Sequence, residues 1–145
     1  MQEEIQQLKG PILVTIFYVC FWYFLLILQI KTKFRLIKKY KKDGKRFDRY
    51  FGQDGEMLAS DRVVINAQEQ MVPFIISLWL CALFSSPVTA TWCGSIYIGL
   101  RLLYPILLGK TLSHLVNPRV FFVTFPSYVL IFYMLGKVTW RVLAG

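Results

Sequence analysis

The chain has 145 residues, of which 56% are hydrophobic and 17% aromatic, and it carries a formal net charge of +9. A mean hydropathy of +0.49 is too apolar for a domain with a wet surface, which excludes the ordinary water-soluble enzyme classes and points to a membrane protein. Cys20, Cys81 and Cys93 all fall in apolar segments and are odd in number, so they read as core residues and not as a disulfide framework; His114 has no Cys or carboxylate at ligand spacing, so no metal site is expected.

Glu3, Glu4 and Lys9 give the first ten residues the wrong charge balance for the basic head of a signal peptide, and no cleavage is expected. Residues 11–30 hold no charge and are long enough to cross a hydrocarbon core of about 30 Å. Over residues 31–62 the character inverts, with eleven Lys or Arg against five Asp or Glu. Phe34, Ile37 and Tyr40, and with them Phe47, recur at helical spacing among the lysines, so the first half of this stretch extends the first helix; Gly44, Gly52 and Gly55 then break it. Such a basic patch could serve a nucleic acid or a phosphoinositide, but the positive-inside rule accounts for it without a ligand, and no nucleic-acid partner is expected.

The second span covers 62–84 and ends at the uncharged turn SSPVTAT, residues 85–91, which makes spans two and three antiparallel neighbours. The third covers 92–109 and the fourth 120–140, with Pro105 and Pro126 as expected bends and with Lys137 and Arg141 near enough to the far end to snorkel. The pattern predicts an all-α, integral membrane four-helix bundle, a single domain over residues 1–145 in contact with membrane lipids. Both basic loops fall on one side and hold thirteen of the seventeen basic residues, so that side is expected to be cytosolic, in the endoplasmic reticulum or another organelle membrane.

The polar residues of the second span stand out against this background. At about 100° per residue, Arg62, Asn66 and Glu69 lie within roughly 60° of one another, one stripe climbing about 10 Å along the helix. An ionisable group facing lipid costs several kcal/mol, so the stripe should face other helices, as a clamp, or a polar ligand. Counting from the membrane edge puts Arg101 of the third span at the depth of Glu69, and Tyr104 at the depth of Asn66. A carboxylate and a guanidinium at one depth are expected to pair.

Arg-x-x-x-Asn-x-x-Glu opening the second span and Arg-x-x-Tyr in the third resemble the MAPEG superfamily, the membrane-associated proteins of eicosanoid and glutathione metabolism that include the microsomal glutathione transferases. The order of helices, the long basic first loop and the tight second turn are similar too. The resemblance implies a homotrimer with glutathione held between protomers, by Arg62, Asn66 and Glu69 with Arg101 as a structural or ligand-facing cation and Tyr104 as a donor. It also implies a lipophilic small molecule as the second substrate. Active members commonly continue the third-span motif as Arg-x-x-Tyr-x-x-Gly-Tyr, followed by an arginine that stabilises the thiolate; here Leu108 stands where the second Tyr would fall, Lys110 and Arg119 match no such arginine, and Pro73 is one position late. No catalytic residue is assigned. The readings in play are a glutathione transferase or peroxidase acting on a lipophilic electrophile, a non-catalytic scaffold or lipid-binding subunit of the same fold, and a small transporter using Glu69. The Arg101 partner and the lack of other intramembrane carboxylates count against the last.

Overall fold

The computed structural model describes residues 2–112 and 118–144; His114 lies outside the described residues. Among these the chain forms α1 (Gln2–Lys42), α2 (Gly55–Phe84), α3 (Pro87–Leu108) and α4 (Phe121–Ala144), with a 3-10 turn at Pro118–Val120 leading into α4 and no strand. All four helices are long and apolar enough to cross a membrane, as the hydropathy pattern requires.

Local chemistry sets the helix ends. The expected extension of α1 is present: at 41 residues it is roughly 60 Å long, so its basic end stands about 18 Å beyond residue 30. It stops before Gly44, whose φ of 67° lies in the left-handed region that glycine tolerates. Phe47 falls outside the helix, yet its ring packs on Tyr40 at 5.4 Å. α2 begins earlier than the apolar run, because Asp54 Oδ1 accepts from the backbone N–H groups of Glu56 and Met57 at 3.0 Å each. The turn between α2 and α3 is shorter than the expected residues 85–91. Ser86 Oγ accepts from the Thr89 N–H at 3.2 Å and Pro87 occupies the first helical turn, so only Ser85 and Ser86 separate the helices.

α2 and α3 pack together and each also packs on both α1 and α4, whereas α1 and α4 do not pack on each other. α2 and α3 are therefore the central pair, with one helix on either flank. The centre is aromatic: Phe74 of α2 and Tyr97 of α3 stack at 3.9 Å with rings 6° from parallel, and Tyr18 of α1 meets Phe74 at 5.0 Å. Towards the end away from the basic loops the helices approach more closely. A Cβ on Gly94 would stand 2.7 Å from Val14 and 2.9 Å from Leu78, so α1, α2 and α3 meet there only because the side chain is absent. Lys137 is held at that far end, its Nζ donating to Thr89 Oγ1 at 3.2 Å.

The outer surface is apolar, with Phe17, Phe24, Ile76, Trp92 and Phe132 all exposed, as lipid contact demands. Cys81 and Cys93 are buried as expected, but Cys20 is exposed, because the phase of α1 set by buried Tyr18 and Phe21 turns it outward. The two basic connections meet at one end of the bundle, where the Leu112 N–H donates to the Gly55 carbonyl at 2.9 Å.

Candidate functional site

The polar residues of α2 divide between two faces. Asn66 is 5% exposed and Arg101 2% exposed, and Arg101 Nη1 donates to Asn66 Oδ1 at 2.7 Å. Helical phase turns Arg62 and Glu69 roughly 40° and 60° to the same side of Asn66, and both are exposed. One expectation is corrected by this: among the described residues no ion pair joins Glu69 to Arg101. The physical reason is desolvation: a neutral amide can enter the α2–α3 interface at modest cost, whereas a second buried charge would have to lose its hydration as well. Asn66, Arg101 and Tyr104 still come together around one small cavity, with Arg62 and Glu69 about one turn to either side of Asn66 along α2.

Arg101 is supported by residues that motif matching does not pick out. Its guanidinium lies over the Tyr97 ring, 5.0 Å from the centroid, and Tyr97 is itself stacked on Phe74. Tyr18 fixes α1 against the same region by donating to the Ala67 carbonyl at 2.8 Å. The available signal was the spacing of four between Tyr97 and Arg101, which puts ring and cation on one helix face. One turn along α2 from Asn66, Gln70 Nε2 donates to Tyr128 Oη at 2.8 Å, tying α2 to α4. Among the described residues, Arg101 Nε and Nη2 have no hydrogen-bond partner. Arg101, Asn66, Tyr104 and Pro105 line a cavity of about 10 Å³, room for one water at most. Leu25, Val63 and Pro105 border both this cavity and a wider cleft of about 370 Å³, which is rimmed by Lys31, Arg35 and Lys110 at the basic end.

Residues 12–140 match the family model described as MAPEG family. The chain belongs to the MAPEG family. No curated protein matches it closely. Membership accounts for the four membrane helices. In the MAPEG frame the position of interest is Leu108, which is 9% exposed and packs in a small cluster with Tyr104 and Val123. An apolar core side chain thus stands at the position where the resemblance leads one to expect a second tyrosine. Lys110 and Arg119 are exposed on either side of residues 113–117.

Proposed function

We propose that this MAPEG-family protein binds glutathione at the outer face of α2, between copies of the chain, and presents it to a lipophilic electrophile arriving through the bilayer. The observation that carries the reading is the exposure of Arg62 and Glu69 on one face of a membrane helix, directly beside the buried Asn66–Arg101 pair. A cation and a carboxylate cannot face lipid cheaply, and glutathione brings two carboxylates and an ammonium that require counter-charges in a partly dry site. In this reading Arg62 takes a carboxylate and Glu69 the ammonium. Asn66 and Tyr104 offer hydrogen bonds to the peptide, and Arg101 backs the site from behind, holding Asn66 in place and adding positive potential.

The same exposure favours a homotrimer, in which a second protomer covers this face. The basic loops would then lie on the cytosolic side of an organelle membrane, where glutathione is plentiful. Conjugation would form a carbon–sulfur bond by attack of the glutathione thiolate, with the displaced electron pair leaving on the departing group or on a ring-opened oxygen that takes up a proton. A nearby guanidinium would favour the thiolate. The burial of Leu108 favours a second reading, in which glutathione or a lipid is bound on a MAPEG scaffold without thiolate activation.

Calorimetric titration of nanodisc-embedded protein with glutathione, followed by its ultraviolet thiolate absorbance, tests both. Saturable binding is expected. Thiolate absorbance at neutral pH would assign an enzyme, and binding without it the scaffold. No binding would overturn the proposal.

A further inference from the structure

The loop between α1 and α2 has a conformation that the glutathione reading does not use. Its chain leaves α1 well beyond the apolar run and then folds back. Arg49 grips Asp61, with Nη1 to Oδ2 at 2.8 Å and Nη2 to Oδ1 at 2.9 Å, and Gln29 Nε2 donates to Asp61 Oδ1 at 2.7 Å. Gln29 is the penultimate residue of the uncharged stretch 11–30, and Asp61 directly precedes the second span. These bonds therefore hold Arg49 within one side-chain length of the boundary between hydrocarbon and headgroups.

The rest of the loop is fastened as well. Tyr40 donates to Asp54 Oδ2 at 2.9 Å. Asp48 Oδ1 accepts from the N–H groups of Tyr50 at 3.0 Å and Phe51 at 2.9 Å. A Cβ on Gly52 would collide with the Asp48 carbonyl, so the turn closes tightly. What this tied loop presents is two aromatic rings: Tyr50 is 85% and Phe51 86% exposed, more than any other large apolar side chain among the described residues. Lys45 and Arg46 are exposed on the same short loop.

We propose that this loop is a membrane-surface anchor, inserting Tyr50 and Phe51 into the interfacial zone of the adjacent leaflet while Lys45 and Arg46 engage anionic phospholipid headgroups. Three features select this occupant. The depth is fixed by Arg49 and Gln29. Two adjacent aromatic rings gain most at the interface, where one side of each ring is apolar and the other wet. Two adjacent cations complement an anionic leaflet, each contributing about fivefold to surface affinity. The anchor is independent of the glutathione reading, which can fail without it.

The test uses the full chain in nanodiscs with Cys20→Ser, so that only the buried Cys81 and Cys93 remain, and a nitroxide attached through Phe51→Cys or, as the control, through Gln53→Cys. Collision with oxygen and with a water-soluble nickel chelate is measured by electron paramagnetic resonance. The label at 51 should be accessible to oxygen and shielded from nickel relative to that at 53. Shielding should deepen when phosphatidylserine replaces part of the phosphatidylcholine, and Lys45→Gln with Arg46→Gln should abolish that dependence on lipid charge. Equal nickel access at 51 and 53 would overturn the proposal. So would shielding of 51 from both reagents, which would mean docking on a second copy, or shielding indifferent to lipid charge.

Discussion

The two faces of α2 teach different things about the same helix. Its inner face buries Ala59, Asn66, Ala67, Gln70 and Phe74, and the two amides there are hydrogen-bonded to Arg101 and to Tyr128. Its outer face exposes Arg62, Ile65, Glu69 and Val72. Neutral polar groups thus complete the protomer, whereas full charges are carried on the side that faces away from it. A helix clamp would have used the charges inside. Under the proposed function, what their exposed ends meet is a ligand held between copies of the chain.

The largest expected effect lies on the inner face. Asn66→Leu leaves the Arg101 guanidinium without its acceptor and should cost about 3 kcal/mol in unfolding from mild detergent, whereas Glu69→Gln should stay within about 0.5 kcal/mol. In double-mutant cycles Asn66 and Arg101 should show coupling of about 1–2 kcal/mol and Glu69 and Arg101 essentially none. Comparable losses at Asn66 and Glu69 would erase the distinction between the faces.

A second contrast sharpens the view of the far end of the bundle, where packing and not polarity decides. Gly94→Val should cost about 1–3 kcal/mol by overpacking against Val14 and Leu78. Gly99, one turn and a half along α3, has open space where its Cβ would be, so Gly99→Ala should be neutral or stabilising by up to about 1 kcal/mol. Thermal unfolding of the two variants side by side checks this, and equal destabilisation would mean that the close approach at Gly94 is not what joins the helices.

The smallest effect concerns the loop. The N–H groups of Phe51 and Tyr50 hold the Asp48 carboxyl below its ordinary value of 3.8. A carboxylate depressed in the folded state stabilises its turn above that ordinary value and ceases to do so as pH falls through the depressed one. Faster amide exchange at Tyr50 and Phe51, after correction for intrinsic rates, should therefore appear only on acidification below about 3.8. Unchanged protection across that window would show that Asp48 does not cap the turn.

Much of this was legible in the sequence. Span number, the helical extension through Tyr40, the break at Gly44 and the meeting of both basic loops follow from hydropathy period, glycine and charge. Proximity of Arg62, Asn66, Glu69, Arg101 and Tyr104 follows from helical spacing and depth. What could not be read was rotation. Depth alone pairs Glu69 with Arg101, and only the phase of α2 against α3 shows that Asn66 takes that place. The exposure of Cys20 has the same origin, because an apolar segment does not declare which residues face lipid. The Ser86 cap and Pro87 were legible as start signals for α3, but the uncharged run SSPVTAT conceals them.

Affinity for glutathione after substitutions on the outer face tests most directly whether those charges serve a ligand. Arg62→Ala and Glu69→Gln, titrated in nanodiscs beside the wild-type protein, should each weaken binding by about ten- to a hundredfold, the value of one charge-assisted bond, with unfolding midpoints unchanged. Wild-type affinity in both variants, with the fold intact, would contradict the account.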